Sequence, residues 1–154
     1  MLTDEERREI DEELRKYDRK SAAAPEALKI VQKYRGWISD ESLDDIARHL
    51  DMTNDELDSV ATCYNLIFRK PVGRHRIFVC DSVSCWLMGY EQVIEHIKRR
   101  LGVEFGQTTP DRRFTLLPIA CLGACDKAPA MIVDEDLHVE LTPTKVDEIL
   151  DQYR

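Results

Sequence analysis

The sequence predicts a mixed fold, of the α+β or α/β class, in which an N-terminal helical bundle precedes a small sheet domain. Two observations lead to this prediction. Over residues 1–72, apolar side chains recur at three- and four-residue spacing, the period of an amphipathic helix. Over residues 73–154, short β-rich runs alternate with helical stripes in the order strand, helix, strand, hairpin, helix. We therefore expect two domains, 1–72 and 73–154.

Four helices are predicted in the first domain, each from a start signal followed by an apolar stripe. The start signals are the capping box of Thr3 and Glu6, a first-turn proline at Pro25, a cap at Ser39 or Asp40, and a second capping box of Thr53 and Glu56. The stripes are Ile10, Leu14 and Tyr17; Ala27, Ile30, Val31 and Tyr34, before a stop at Gly36; Leu43, Ile46, Ala47 and Leu50; and Leu57, Val60, Ala61 and Tyr64. Helices this short are marginal alone and must pack on one another, so the three tyrosines are expected in the core.

A parallel pair of strands with a helical crossover is predicted in the second domain. The predicted strands are residues 76–79, RFTLLPIA at 113–120, Met131–Val133 and 137–141, the last two forming a hairpin around the acidic turn DED. The predicted helices carry the stripes Tyr90, Val93, Ile94 and Ile97, ending near Gly102, and Val146, Ile149, Leu150 and Tyr153, beginning at Pro143.

Composition and charge narrow the classes of function. The chain has 154 residues, 43% of them hydrophobic, which is enough for a globular fold. No apolar run approaches the roughly 18 to 20 residues that span a bilayer, and the N-terminus is charged throughout, so we expect a cytoplasmic protein without direct membrane insertion. The net charge of −8 argues against nucleic acid as a partner, because phosphate binding needs a basic surface.

Four of the five cysteines form two close pairs, each placed where a predicted strand has just ended. Cys80 and Cys85 follow the first strand, and Cys121 and Cys125 follow the second. Parallel strands end at the same edge of a sheet, so both pairs are expected in neighbouring loops. In a reducing compartment disulfides rarely persist, which leaves metal ligands, redox groups or buried thiols as explanations. Four thiolates suit either one tetrahedral zinc or the two irons of a 2Fe-2S cluster.

Spacing favours the cluster and leaves zinc as the alternative. Structural zinc knuckles usually have two to four residues between ligands; the four residues between Cys80 and Cys85 are at the upper limit of that range, and a step that runs into a helix is less usual. A plant-type ferredoxin needs a third cysteine shortly after Cys85, where the sequence has WLMG. A Rieske centre needs histidine ligands, and no histidine lies within four positions of these cysteines. A Cys-x-x-Cys dithiol is also absent.

The stretches CDSVSCWLMGYEQV and LLPIACLGACDKAPAMIVDEDLH resemble the thioredoxin-like 2Fe-2S subunit family of respiratory complex I (NADH:quinone oxidoreductase). The resemblance extends through EALKIVQKYRGWI, VATCYNLIFRKPVGRH and LTP, and so covers nearly the whole chain. It implies a thioredoxin-like second domain, with Cys80, Cys85, Cys121 and Cys125 as ligands of one 2Fe-2S cluster. Two positions depart from the family pattern. Cys63 stands where an aromatic residue is expected, and Arg112 stands where a turn glycine is expected.

The resemblance also implies partners. FMN and NADH are expected on a flavin- and NADH-binding subunit, not on this chain, which has no Gly-x-Gly-x-x-Gly motif. A hydride carries two electrons and the cluster accepts one, so a flavin must stand between them. The chain is then an electron-carrier subunit, not active alone, in the peripheral arm on the cytoplasmic side of the inner membrane, with further peripheral-arm subunits as neighbours. The alternatives are the equivalent subunit of an NAD-linked hydrogenase or formate dehydrogenase and, in another class, a zinc-stapled adaptor.

Other residues have simpler expected roles. Cys63 lies on a helix and is expected to be a small buried hydrophobe. The basic run at positions 69, 70, 74 and 76 is expected to be a solvated face, with docking of a partner as the alternative. Gly123 is expected to let backbone N–H groups approach the cluster sulfurs. The apolar residues at 86–88 are expected either to shield the cluster or to pack into the core.

Overall fold

The computed structural model describes residues 1–153, which divide into two compact units, Met1–Pro71 and the part that begins at Val72. The first unit consists of α-helices, named in chain order α1 Asp4–Leu14, α2 Ala24–Arg35, α3 Asp40–Leu50 and α4 Asn54–Cys63. A short 3-10 turn, Lys20–Ala23, leads into α2. Within residues 1–153 no helix is both long enough and apolar enough to cross a membrane.

The predicted caps of the first unit are present. Thr3 and Glu6 form a capping box at α1, as do Thr53 and Glu56 at α4. The hydroxyl of Ser39 accepts the N–H of Ser42 at the start of α3. Behind these caps, the apolar stripes meet in one buried cluster. Its fully buried large side chains include Ile10, Leu28, Ile38, Ile46, Leu50 and Leu57.

A buried ion pair ties α1 to α2 inside the first unit. Glu6 is only 1% exposed, and both of its carboxylate oxygens accept hydrogen bonds from Arg35 at 2.7 Å. Arg35 also donates to the hydroxyl of Ser42 at 2.9 Å. The hydrogen bond from Arg35 has the largest effect on the Glu6 carboxyl and lowers its pKa, although burial acts to raise it.

The expectation that the stripe tyrosines are buried was wrong. Tyr17, Tyr34 and Tyr64 are 39%, 47% and 48% exposed. α1 ends at Leu14 and Tyr64 is the extended residue after α4, so helical periodicity does not govern Tyr17 or Tyr64. Tyr34 does lie on α2, but its hydroxyl turns outward and donates to Glu9.

The second unit holds a four-stranded sheet. Its elements are β1 His75–Cys80, α5 Val83–Leu87, α6 Tyr90–Leu101, β2 Phe114–Ile119, β3 Met131–Val133, β4 Asp136–His138 and α7 Pro143–Leu150. The sheet order is β2, β1, β3, β4. β1 and β2 run parallel, from His75 opposite Phe114 to Cys80 opposite Ile119, while β3 pairs antiparallel with both β1 and β4. The predicted parallel pair and hairpin are therefore confirmed.

The last strand is shorter than predicted. Residues 137–141 were expected to continue the hairpin, but β4 ends at His138. Glu140 has a left-handed φ of 51°. Its N–H donates to the carbonyl of Lys127, and that of Leu141 donates to the carbonyl of Pro129. These bonds direct the chain toward the loop before β3 and away from the β3–β4 pairing. The strand ends early because of these tertiary contacts, which the alternation of residue types in the sequence does not reveal.

The sheet core is packed by α6 and α7. The strands contribute the fully buried side chains of Ile77, Val79, Phe114, Leu116 and Met131. Val93, Ile94 and Ile97 of α6 and Val146, Ile149 and Leu150 of α7 belong to the same buried cluster. The crossover helix and the last helix thus bury the stripes that predicted them, and they hold β1 and β2 rigidly in register.

Candidate metal centre

The four paired cysteines lie at the end of the sheet where β1 and β2 terminate. Cys80 is the last residue of β1, and Cys85 lies inside α5. Cys121 comes two residues after β2 ends at Ile119, and Cys125 begins a short 3-10 turn that ends at Lys127. Since β1 and β2 are parallel neighbours, their following loops leave the sheet side by side.

The two pairs differ in exposure. Cys80 and Cys85 are 2% and 1% exposed and form a small buried cluster with Ala128 and Ala130. Cys121 and Cys125 are exposed, with their Sγ atoms 4.0 Å apart. Cys80 and Cys85 therefore face the interior, whereas Cys121 and Cys125 face solvent.

Several contacts join the two loops. Burial raises the pKa of the Cys80 thiol, and the backbone N–H of Leu122 in the second loop is the first of the groups that lower it. Leu122 and Ala124 also pack against the buried cluster that contains Cys80 and Cys85. The loop that carries Cys121 and Cys125 therefore packs beside Cys80 and Cys85.

The pKa values of the two buried thiols shift in opposite directions. Burial raises the pKa of both thiols. For Cys80, donors from Leu122, Cys85 and Ser82 outweigh burial, and the pKa is lowered. For Cys85, burial and the hydrogen bond to Cys80 raise the pKa to about 11, against the Ala130 N–H that lowers it.

Backbone N–H groups are directed at the exposed pair as well. The N–H of Gly123 points to Sγ of Cys121 at 3.3 Å. Gly123 has a φ of +74°, a left-handed conformation that side chains disfavour, and an added Cβ there would meet nothing within 4 Å. Glycine is therefore favoured at this position because of the left-handed turn that directs its N–H at Cys121. Lack of space for a side chain is not the reason.

The donor set suits a binuclear iron centre. Thiolates are soft ligands that bind iron-sulfur clusters and zinc, and a 2Fe-2S cluster takes four of them. The chain supplies four thiols as two pairs on adjacent loops, with N–H donors directed at Cys80, Cys85 and Cys121. Among residues 1–153, no three or more His, Cys, Asp or Glu side chains are grouped so as to hold a single metal ion.

The apolar residues beside Cys85 do not pack into the core, so that part of the expectation was wrong. Trp86, Leu87 and Met88 are 57%, 70% and 63% exposed. Helix α5 itself was missed, because the sequence pattern predicted only the helix that begins at Tyr90. Gly89, with a φ of +96°, separates the two helices.

Two further expectations need correction. Cys63, expected to be buried, is exposed at the end of α4. In the basic run, Arg69 is not part of a solvated face, because it forms ion pairs at 2.7 Å with Asp40 and Asp58 and is only 21% exposed. Lys70 and Arg74 are exposed, as expected. Arg76 lies 3.3 Å from Asp134.

Comparison with known proteins identifies the family. The model of the thioredoxin-like [2Fe-2S] ferredoxin family matches residues 10–154. The E subunit of NADH-quinone oxidoreductase from Pseudomonas aeruginosa is 48% identical over 153 residues, covering 99% of this chain and 92% of that protein. The corresponding protein of Escherichia coli K12 has the same identity and coverage. The chain therefore belongs to the thioredoxin-like [2Fe-2S] ferredoxin family, which confirms the resemblance inferred from the sequence.

A solved structure supports the fold. The crystal structure of an NAD+-reducing [NiFe]-hydrogenase in its H2-reduced state matches 88% of this chain with a TM-score of 0.74 and 22% identity. This chain covers 23% of the hydrogenase chain. The match therefore extends beyond the sheet into the helical unit, and at this identity it concerns the fold alone.

Proposed function

We propose that this chain is the 2Fe-2S electron-transfer subunit of the NADH-oxidising module of an NADH:quinone oxidoreductase, respiratory complex I. The observation that carries the proposal is the placement of two thiol pairs after the parallel neighbours β1 and β2, in a chain 48% identical to NADH-quinone oxidoreductase subunits over nearly its whole length. Cys80, Cys85, Cys121 and Cys125 would hold the cluster. A bound 2Fe-2S cluster supplies reversible uptake of a single electron.

The residues around the sulfurs favour that role. The N–H of Gly123 points at Sγ of Cys121. Burial raises the pKa of Cys80 and Cys85, and the N–H groups of Leu122 and Ala130 act to lower it. Such donors hold thiolates in place and stabilise the extra negative charge that reduction brings. Burial of Cys80 and Cys85 keeps water from one side of the site, while exposure of Cys121 and Cys125 leaves the other side open to a redox partner.

The partner is the flavin- and NADH-binding subunit of complex I. FMN and NADH bind to that subunit, which converts the two electrons of a hydride into single steps. This chain then exchanges single electrons with the flavin and catalyses nothing alone. Its place is in the peripheral arm, on the cytoplasmic side of the inner membrane and beside further peripheral-arm subunits.

A second assembly is the NAD-linked hydrogenase. The fold match to the NAD+-reducing [NiFe]-hydrogenase over 88% of this chain favours an equivalent subunit there. The NADH-quinone oxidoreductase relatives are far more similar in sequence, at 48% against 22% identity, so complex I is the preferred assembly.

Anaerobic purification tests the proposal. The expected product is brown, carries about two irons and two acid-labile sulfides per chain, and shows a one-electron paramagnetic signal after reduction. Stoichiometric zinc without sulfide, in a colourless native complex, would overturn the cluster assignment in favour of a zinc-stapled adaptor. Mass spectrometry of the chains that copurify then separates the assemblies, because hydrogenase subunits and quinone-reducing subunits have different sequences.

A further inference from the structure

Four arginines gather at the end of the sheet where β1 and β2 begin. Arg74 and Arg76 flank the first residue of β1, and Arg112 and Arg113 immediately precede β2. Backbone hydrogen bonds join the two groups. The N–H of Arg74 donates to the carbonyl of Arg112 at 2.9 Å, and the N–H of the next residue, at position 75, donates to the carbonyl of Arg113 at 2.7 Å. We name these four residues the arginine edge.

The charge of the arginine edge is only partly neutralised within residues 1–153. Arg76 lies 3.3 Å from Asp134, and Arg113 lies 3.6 Å from Asp111. Arg112 is exposed, and its side chain has no ion pair or hydrogen bond with another described residue.

The nearest further acids belong to the hairpin turn at 134–136, which lies beyond β3, on the side of β1 away from β2. Acidic and basic side chains are therefore segregated at this end of the sheet. The β2 side presents positive charge on a chain whose net charge is −8.

Arg112 is presented by a rigid and strained turn. It adopts a left-handed φ of 56°, which a side chain disfavours. The turn is fixed around it, because the Arg112 N–H donates to the carbonyl of Thr109 at 2.8 Å and a carboxylate oxygen of Asp111 accepts the N–H of Arg113 at 3.0 Å. Backbone strain of this kind clusters where a protein holds a ligand or partner, so a use for the exposed guanidinium is to be sought in a contact with another molecule.

The chemistry of the arginine edge selects an acidic protein segment. A guanidinium binds a carboxylate through two parallel N–H···O bonds, a geometry that lysine does not offer. Nucleic acid would be repelled by the rest of this acidic chain, whereas a short acidic segment needs a basic surface of only a few residues. Arg113 is already ordered, with its guanidinium carbon 4.8 Å from the centre of the Phe114 ring, so it loses less rotamer freedom on binding.

Position separates the arginine edge from electron exchange. β1 and β2 run parallel from this edge toward the cysteines, and Cys80 is the last of the six residues of β1. At roughly 3.3 Å per residue, the strand places the edge about 16 Å from Cys80. A partner bound here does not cover the exposed sulfurs of Cys121 and Cys125, so its role is attachment of the chain.

We propose that the arginine edge is the docking surface for an acidic segment of a peripheral-arm subunit other than the flavin-bearing one. This inference rests on the proposed function and adds a second attachment at the opposite end of the sheet from the cysteines. Arg112 is the central contact, and Arg74 and Arg113 lie beside it.

Carboxylate cross-linking in the intact assembly tests the proposal. Arg112→Lys keeps the positive charge and adds a primary amine, which a water-soluble carbodiimide joins to a contacting carboxylate as an amide while the carbodiimide takes up the water released. The control is Arg99→Lys, at an exposed arginine of α6. Each assembly is purified through a tag on this chain. Cross-linked peptides are identified by mass spectrometry, and iron, sulfide and the flavin-bearing subunit are quantified.

We expect Arg112→Lys to give at least about fivefold more cross-link than Arg99→Lys to aspartate or glutamate of one subunit other than the flavin-bearing one, with a yield that falls as salt is raised. Equal yields from the two positions, including none from either, would overturn the docking surface. Cross-links confined to the flavin-bearing subunit, to this chain or to a second copy of it would also overturn it. Loss of iron, sulfide and the flavin-bearing subunit from the assembly of the unsubstituted chain would instead count against the proposed function, so the two failures are distinguishable.

Discussion

The Sγ atoms of Cys121 and Cys125 lie 4.0 Å apart on one exposed loop. That separation is close to the sulfur-to-sulfur distance of roughly 3.8 Å expected for two thiolates on one tetrahedral metal with metal-sulfur bonds of about 2.3 Å. This separation supports the proposal that Cys121 and Cys125 share one metal, with Cys80 and Cys85 as the second pair.

Replacement of Cys121 by serine should abolish or strongly reduce cluster binding, because the serine hydroxyl is a poor ligand for iron compared with a thiolate. Cys63→Ser is the control, since Cys63 lies at the end of α4 and outside the two-pair spacing. Iron and sulfide analysis with paramagnetic resonance of the reduced proteins is the measurement. Equal loss of iron from both variants would contradict the assignment of ligands.

Replacement of Gly123 by alanine should lower the reduction potential of the bound cluster. The φ of +74° that aims the Gly123 N–H at Cys121 disfavours a side chain, so the donor moves and the reduced form loses a stabilising interaction. The strain should also cost roughly 1 kcal/mol of stability. Gly102→Ala is the control. Gly102 has a similar φ of +67° at the end of α6, and an added Cβ there would also meet nothing within 4 Å.

Redox titration and thermal unfolding separate the two effects of the Gly123 change. Both glycine variants should unfold more easily by similar amounts, and only Gly123→Ala should shift the potential. An unchanged potential in Gly123→Ala would show that this N–H does not act on the cluster.

Replacement of Arg35 by methionine should destabilise the helical unit by about 3 to 5 kcal/mol at neutral pH, because it leaves the carboxylate of Glu6 buried without its counter-ion. Chemical denaturation measures the effect. Lys33→Met is the control, since Lys33 pairs with Glu9 at the surface and should change stability little. A loss in Lys33→Met as large as that in Arg35→Met would refute a special role for the buried pair.

The same ion pair predicts a pH dependence. The pKa of Glu6 is lowered in the folded state from its ordinary value of 4.5, so the folded chain binds this proton less tightly than the unfolded chain. The stabilisation is therefore fully present above 4.5 and is lost as the pH falls through the lower folded value. The penalty of Arg35→Met should shrink over that acidic range, and a penalty independent of pH would be inconsistent with this explanation.

Replacement of Arg112 by glycine should stabilise the second unit by up to about 1 kcal/mol. Arg112 adopts a φ of 56°, at the position where the family pattern led us to expect a turn glycine. Glycine relieves this strain but adds freedom to the unfolded chain, so the net gain is modest. Arg112→Ala keeps the strain and serves as the control. A melting temperature for Arg112→Gly no higher than that for Arg112→Ala would contradict the prediction.

Topology was predictable from the sequence because it follows from local patterns and one chirality rule. The strand-like runs that precede Cys80 and Cys121, with a helical stripe between them, already required parallel strands whose loops meet. The starts of two helices were also predictable, because the capping boxes at Thr3 and Thr53 are local contacts between residues three positions apart.

Exposure was harder to predict, because it depends on what lies opposite each residue. Trp86 and Leu87 look like core residues in the sequence, and they face outward because Cys85 occupies the inner side of the same short helix. Cys63 was misjudged on similar grounds, since its place at the end of α4 removes it from the packed stripe. The early end of β4 depends on bonds from Glu140 and Leu141 to a distant loop, which no local pattern records.

The parallel pairing of β1 and β2 has a consequence for biosynthesis. Cys80 and Cys85 leave the ribosome well before Cys121 and Cys125, and the second pair reaches its place only when β2 has added to the sheet edge beyond the α6 crossover. A nascent chain that stops short of β2 has two thiols and no partner loop. With the proposed ligand set, complete ligation of the inorganic cofactor requires the sheet to have formed, so we expect insertion to be a late event in maturation.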